Sequence, residues 1–494
     1  MIGGIFIGLR KKFFVDIQTL NSGVTGSLHL CIAKFPDNET VRFIVDCGLF
    51  QERVEKVEGE EEKENINEIY NKNFPFEGGN LDFALITHNH VDHIGRIPLL
   101  YKNGYRGKTF MSIPTKELIR PALNDSCRVL RETAKRKHVA PIYTDTDVST
   151  AISNFYGAAY EESFYLVPGK IKVTFFKNGH LVGAALILVQ LYSILTNEVI
   201  NLLFTGDYNN KNMFFQVPEL PDWLYELPIT IIQESTYGDM DSGDIEECFE
   251  ENILQGIHNQ KTIVVPAFSL GRYQEVLFFL QKLQEKGALD VNIPIKADGK
   301  LAAIYTNMFL TNPSLGLDPE MTHFLPENVE FISGSDLRSN VIEDIHSKII
   351  VTTSGMGSYG PAQEYISKLI SNPNAIIHFT GYTAEGTLGR RLKDTEVGAD
   401  VKIGSIMKIK RAQVVYTSEF SAHAKADEMI DFLNKFKRIN FIIVNHGEPD
   451  VKERFSSRIL REVNNVKEVG IANRQTFFRI DPYKCVKSLS THFQ

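Results

Sequence analysis

Apolar runs with strand character alternate with amphipathic, helix-like segments along most of this chain. LDFALIT (residues 81–87), IKVTFF (171–176), ALILVQL (185–191), INLLFTG (200–206), TIIQ (230–233) and NFIIVNH (440–446) are rich in branched and aromatic side chains and end in polar or glycine punctuation. Such runs read as buried strands, and their alternation with helical segments predicts an α/β fold. The stretch QERVEKVEGEEEKENINEIYNKN (51–73) breaks the pattern. It is acidic and too polar to bury a core, so an exposed helix or loop is expected there. Linker-like composition at STYGDMDSGD (235–244) and around 408–413 marks two candidate domain boundaries, and no internal repeat is apparent.

Composition narrows the class. At 494 residues the chain exceeds one ordinary core, which predicts a few domains or one large domain carrying an insertion. No apolar run approaches the roughly 20 residues of a spanning helix, so no membrane role is expected. The apolar start MIGGIFIGL is followed by Arg10, Lys11 and Lys12, the reverse of a secretory signal's charge order, and a cytoplasmic protein is expected. Cys31, Cys47, Cys127, Cys248 and Cys485 lie far apart, which suggests neither a disulfide framework nor a cysteine zinc site. A net charge of −8 gives no global attraction to nucleic acid. Basic residues do concentrate in CRVLRETAKRKH (127–138), readable as a solvated helix face or as a local phosphate-binding surface.

Three histidines and an aspartate fall within six residues of LITHNHVDHIG (85–95). They begin where a predicted strand ends, and IGRIPLL (94–100) looks like the start of a helix. Strand ends that open into loops are where α/β proteins place reactive groups. The alternation of His88 and His90 lets two imidazoles point the same way, while Asp92 and His93 can diverge, so one loop can serve two neighbouring cations. Neutral imidazole and carboxylate suit zinc, with manganese or iron admissible on ligand type. Two metals need more ligands than these four. His180 in KNGHLVG, Asp207 in FTGDYNN and His446 in NHGEPD each follow a predicted strand. Alone, each reads more readily as a capping or turn residue. Their joint recurrence carries the metal reading, and Asp207, with two carboxylate oxygens, is the natural bridge.

THNHVDHIG, NGH, TGD and NHGE, in this order, resemble the successive motifs of the metallo-β-lactamase fold, from about residue 14 to the end. QESTYGD (233–239), VVPAFSLGRYQE (264–275), TTSGMGSYGPA (352–362), GYTAEGTLGRRL (381–392) and EFSAHAKADE (419–428) are similar to the β-CASP nucleases. The resemblance is nearest to the RNA-processing branch, which contains the endonuclease of pre-mRNA 3′-end cleavage and its bacterial and archaeal relatives. It implies a metallo-β-lactamase αββα sandwich with an inserted α/β β-CASP domain. Residues 1–237 would form the first part of the sandwich, 238–413 the insertion and 414–494 the second part, with the RNA-metabolising motif. It further implies two zinc ions, with manganese as the alternative. His88, His90 and His180 would hold one, Asp92, His93 and His446 the other, and Asp207 would bridge them. Catalytic roles fall to Asp92, Glu234 and His423, the histidine near the leaving oxygen and the Glu234 carboxylate orienting it. A histidine at 446 marks RNA-acting members, where DNA-acting members tend to have valine.

The activity so implied is hydrolysis of phosphodiester bonds in single-stranded RNA by metal-activated water, endonucleolytic or 5′-exonucleolytic, leaving a 5′ phosphate. Ser354 in SGMGSYG and Arg390 and Arg391 in AEGTLGRR are candidate phosphate contacts, although these glycines fit tight turns equally well. GYRGKT (104–109) has two residues between its glycines where a phosphate loop has four, and reads as the approach to a strand. Neither the N-terminal RNA-binding extension of archaeal relatives nor a long C-terminal domain is recognised. Substrate selection is therefore expected to rest on the cleft or on partners, a homodimer or a processing complex. Three other readings compete. A small-molecule metallo-hydrolase of this fold would lack PAFSLGR and GYTAEGTLGRR, a silent scaffold subunit would have lost ligands, and a DNA nuclease would differ at position 446.

Overall fold

The computed structural model describes residues 12–21, 23–50, 66–243, 248–381, 383, 386–417, 419–466 and 468–489. Two large sheets lie face to face. The first has eight strands in the order Cys485–Leu489, Thr476–Ile480, Phe14–Thr19, His29–Lys34, Thr40–Val45, Phe83–Leu85, Lys108–Ser112 and Phe155–Ala158. It is antiparallel as far as Thr40–Val45 and parallel beyond. The second has seven, in the order Val469–Ile471, Ile439–Asn445, Ile229–Glu234, Glu198–Phe204, Ala185–Ser193, Ile171–Lys177 and Phe164–Val167. Its first four strands are mutually parallel. Val15, Phe43 and Val45 of one sheet meet Val173, Ile187 and Leu202 of the other in a common core. Helices Ile97–Lys102 and Ile113–Arg136 cover the outer face of the first sheet, and Ala426–Asn434 and Pro449–Glu462 that of the second, giving four αββα layers. Central strands therefore have both faces covered. That is why Ala185–Ser193, buried at all but Tyr192, reads as a continuous apolar run rather than an alternating one.

The helix Ile113–Arg136 begins at Ser112, whose hydroxyl accepts the Thr115 N–H at 3.2 Å, and it carries the basic run. Arg128 is held by Asp125 and Glu132, Arg131 by Asp145 and Lys137 by Glu68. Much of the run's charge is thus already paired on a solvated face, where each pair contributes about 1 kcal/mol or less. Of the acidic stretch, Ile66–Lys72 is helical, while residues 51–65 and the apolar start at 1–11 lie outside the described residues. Among the described residues no helix is long and apolar enough to cross a membrane. The cysteines are all unpaired.

Between Ile229–Glu234 and the return to the sandwich, the chain builds a third sheet of six parallel strands. Their order is Val329–Ile332, Ile295–Asp298, Lys348–Thr352, Thr262–Pro266, Ala375–Phe379 and Gln413–Tyr416, with helices on both faces. Gln413–Tyr416 pairs along Ala375–Phe379, so this edge strand straddles the boundary expected at 413/414. It is half-exposed and carries little of the apolar pattern that marks a central strand. The insertion is anchored in the sandwich: Tyr305, Phe309, Leu315, Met321 and Phe324 share one core with Leu118, Leu123 and Phe214.

Candidate metal centre

The two sheets bring their strand ends to one edge, and the polar residues of the sequence motifs meet there. His88, Asn89 and His90 follow Phe83–Leu85, and Asp92 and His93 open the short helix Val91–Ile94. His180 lies between Ile171–Lys177 and Ala185–Ser193, Asp207 follows Glu198–Phe204, and His446 follows Ile439–Asn445. One donor atom from each of His88, His90, His180 and Asp207 lies within 4.8 Å of every other, and the same holds for Asp92, His93 and His446. Asp207 faces both groups. Its Oδ2 is 3.6 Å from His88 Nε2 and from His180 Nε2, and its Oδ1 is 3.3 Å from His93 Nε2 and 3.2 Å from His446 Nδ1. One carboxylate thus offers one oxygen to each side.

Neighbouring hydrogen bonds fix the imidazole tautomers. The Thr87 hydroxyl donates to Asp46 and so accepts from His88 Nδ1 at 3.0 Å, which leaves the lone pair on His88 Nε2. His180 Nδ1 donates to the Ala422 carbonyl at 2.8 Å and His93 Nδ1 to Asp46 at 2.7 Å, again turning Nε2 toward Asp207. Burial, with mutual repulsion, holds His88 well below the ordinary imidazole range; His180, buried among other imidazoles, follows. Burial takes His90 down to about 4. Burial opposes ionisation of Asp207, yet His446, His93 and His88 around it keep its carboxyl well below the usual range. His93 differs: burial opposes its charge, yet the carboxylates of Asp207 and Asp46 hold it well above the ordinary imidazole range, so a metal there would have to displace its Nε2 proton. His88, His90 and His180 are neutral and Asp207 is ionised, the protonation states that metal binding requires. His90 Nε2, His93 Nε2, His446 Nε2 and Asp207 Oδ1 are buried without a hydrogen-bond partner among the described residues. Unsatisfied buried acceptors are costly, and a cation would satisfy several of them together, so the donor set fits zinc.

Beside the cluster, His423 Nδ1 lies 2.9 and 3.0 Å from the two Glu234 oxygens, and His423 Nε2 lies 3.9 Å from Asp207 Oδ2. Glu234, the last residue of Ile229–Glu234, also accepts the N–H groups of Tyr208 at 2.5 Å and Thr236 at 3.2 Å. Burial would lower His423, but the charges of Glu234 and Asp207 outweigh it and raise it to about 9. The structure brings all seven candidate ligands and this pair together. Ser354 lies in the loop after Lys348–Thr352, and its neighbour Gly355 packs on Phe268, whose ring is 6.3 Å from His90. Arg390 and Arg391 are not drawn into the cluster: the first bonds Asp394 at 3.0 Å and the second the Lys402 carbonyl at 2.9 Å. Their helix Leu388–Asp394 is nevertheless tied to the Ser354 loop, through Gly389 N–H to the Met356 carbonyl and Leu388 N–H to Ser358 Oγ.

Asp46 had no place in the sequence reading, although it ends Thr40–Val45 as the ligands end their own strands. Fully buried, it takes the Thr87 N–H, the Thr87 hydroxyl and His93 Nδ1. Asp46 and His446 both have left-handed backbones, with φ of 62° and 48°, the turn that aims a side chain back over a strand's end.

Residues 273–392 match the Beta-Casp domain family, and residues 409–469 match the family of the Zn-dependent metallo-hydrolase RNA specificity domain. The chain is 27% identical over 451 residues to the transcription termination factor FttA of Methanosarcina mazei, covering 88% of this chain and 67% of that protein. It is 27% identical to ribonuclease TTHA0252 of Thermus thermophilus, covering 86% of this chain and 91% of that enzyme. With endoribonuclease ysh1 of Schizosaccharomyces pombe the identity is 28%, over 79% of this chain and half of that one. Among the archaeal factors it matches, the chain spans between 58% and 70% of the relative's length.

Proposed function

We propose, for a chain that belongs to the β-CASP family of metallo-β-lactamase-fold nucleases, that it is a zinc-dependent ribonuclease cutting single-stranded RNA and leaving a 5′ phosphate. The observation that carries this reading is the junction at Asp207: two donor groups share its carboxylate, and the Glu234–His423 pair stands 3.9 Å from the same side chain. His88, His90 and His180 would hold one zinc and Asp92, His93 and His446 the other. When bound, zinc, or manganese as the alternative, would supply polarisation of a phosphate oxygen and a water acidified to a pKa of roughly 7.

The chain's own residues do the rest. The Glu234 carboxylate favours the protonated ring of His423, whose Nε2 faces the cluster while Nδ1 is tied to Glu234. His423 is the group to protonate the departing 3′ oxygen, and Glu234 keeps the ring aimed and charged. Such a general acid contributes typically about 10²–10⁴-fold. Asp92 combines the ligand role with closeness to His446 Nε2 at 3.9 Å. Ser354, whose neighbour Gly355 packs on Phe268, and Arg390 and Arg391, whose helix is tied to the same loop, are assigned to the phosphate backbone. The division expected at 1–237, 238–413 and 414–494 belongs to the same reading, with its second boundary moved past Tyr416 so that the edge strand Gln413–Tyr416 falls wholly within the insertion. So do a cytoplasmic location and an assembly as a homodimer or with processing partners.

The test is His423→Ala with 5′- and 3′-labelled single-stranded RNA and matched DNA. Turnover at saturating RNA should fall by about 10²–10⁴-fold with zinc content unchanged. Intact turnover, or a preference for DNA in the parent, would sink the assignment.

A further inference from the structure

A buried hydrogen bond joins the insertion directly to the ligand loop. Asn89, between the donors His88 and His90, is 2% exposed, and its Nδ2 donates to the Leu118 carbonyl at 2.9 Å and to the Tyr305 hydroxyl at 3.3 Å. The Tyr305 hydroxyl in turn donates to the same carbonyl at 3.3 Å. Leu118 belongs to the sandwich helix Ile113–Arg136, whereas Tyr305 belongs to the helix Lys300–Thr311 of the insertion and is 1% exposed. The sequence separation across this contact is 216 residues. On its other side the loop is pinned within the sandwich alone, by Asp46 through Thr87 and His93.

Tyr305 reaches this position because its helix is sunk into the sandwich core. Phe309, with Leu315, Met321 and Phe324 further on, packs with it against Leu118, Leu123 and Phe214. The ring therefore needs no hydroxyl for its packing. A phenol buried so deeply, its ionisation disfavoured by burial, is retained at a desolvation cost that only its polar partners offset. Those partners are the Asn89 amide and the carbonyl that Asn89 also uses.

We infer that Tyr305 is a positioning residue: its hydroxyl, through Asn89, sets the geometry of the His88–His90 loop, so that tight zinc binding depends on the docked insertion. The inference rests on the ligand reading above, and its test separates the two. Zinc affinity is measured by competition with a chromophoric chelator, and exchange of the residue 86–90 amides by mass spectrometry. Both are read on the full chain as parent, Tyr305→Phe, Asn89→Ala and the double variant. Phenylalanine keeps the buried ring, so the thermal midpoint should stay near the parent's. Loss of a hydrogen bond of this kind should weaken zinc by about 2- to 10-fold and speed exchange in the loop. Because both residues act through one contact, the double variant should bind no more weakly than Asn89→Ala alone. A Tyr305→Phe protein with parental zinc affinity and exchange would overturn the coupling and leave the ligand assignment standing. Additive losses would likewise overturn it. A parent that binds no zinc would overturn the ligand reading and this inference with it.

Discussion

Asp46→Asn is the sharpest probe of how the centre is held. The substitution is isosteric and leaves the packing of a fully buried side chain unchanged, so its effect reports on hydrogen bonding. Asp46 now accepts from His93 Nδ1 at 2.7 Å, from Thr87 N–H at 2.8 Å and from the Thr87 hydroxyl at 2.9 Å. An amide has only one accepting atom. If its oxygen faces Thr87, its NH₂ faces His93 Nδ1 and drives the ring's proton to Nε2, the atom 3.3 Å from Asp207 that must carry a lone pair. If it flips, the NH₂ confronts the Thr87 N–H, and a buried donor loses its partner. Either outcome forfeits a charge-assisted bond worth about 1.5–3 kcal/mol, which agrees with the roughly 10–100-fold loss of metal affinity usual when a ligand histidine's outer partner is removed. Competition titration with a zinc chelator reads this directly. The loss should fall on the ion beside His93, leaving one of two equivalents tight. Parental affinity for both equivalents in a folded Asp46→Asn protein would refute the reasoning that tautomer control by Asp46 shapes the site.

Two further outcomes follow from the same geometry. Gly48→Ala places a Cβ 1.5 Å from the Asp92 carbonyl oxygen, so the loop bearing Asp92 and His93 must shift; zinc stoichiometry should drop, and a variant retaining two tight equivalents would contradict the packing. His378, in the strand Ala375–Phe379, is pushed down to about 4 by burial. Its folded form stays neutral while the unfolded chain takes up a proton below about 6.5, so its contribution is complete above that pH and is lost as pH falls toward 4. The difference amounts to at most about 3 kcal/mol. Urea midpoints of parent and His378→Asn, compared from pH 7 to 4, should show the shallower acid slope in the variant, and parallel slopes would refute the assignment.

What was legible in the sequence was whatever repeats locally. The burst at 88–93 stands in one loop, and His180, Asp207 and His446 could be found because each ends an apolar run that both faces of the sandwich bury. Glu234 and His423, separated by 189 residues, carry no local signal that sets them apart from a strand-end carboxylate and a loop histidine, and only resemblance to a family assigned them. Asp46 follows the same strand-end rule as the ligands, but its partner His93 lies 47 residues on, and nothing in VDCG announces that contact. The glycine-rich surroundings of Arg390 and Arg391 point to phosphate but carry no signal of where the side chains rest, and helix geometry sets Asp394 four residues from Arg390, within reach of its guanidinium.

The distribution of the donors explains why such a cluster is tolerable to the fold. Seven ligand candidates come from four separate chain segments, and none is buried until the two sheets pack and their strand ends converge. In the unfolded chain each imidazole and carboxylate is hydrated, and no segment alone gathers a complete set. In the folded chain they are crowded, with lone pairs aimed at common points and protons held outward by Thr87, Asp46 and the Ala422 carbonyl. Assembling that arrangement costs desolvation and mutual repulsion, which packing of the sandwich core must offset. A cation entering it recovers much of that cost, because the orientation has already been set by bonds that it does not have to make. The tautomer-fixing residues are therefore as much a part of the centre as the ligands. The Tyr305–Asn89 contact extends the same principle to the helix Lys300–Thr311, whose tyrosine hydroxyl accepts from the residue between His88 and His90.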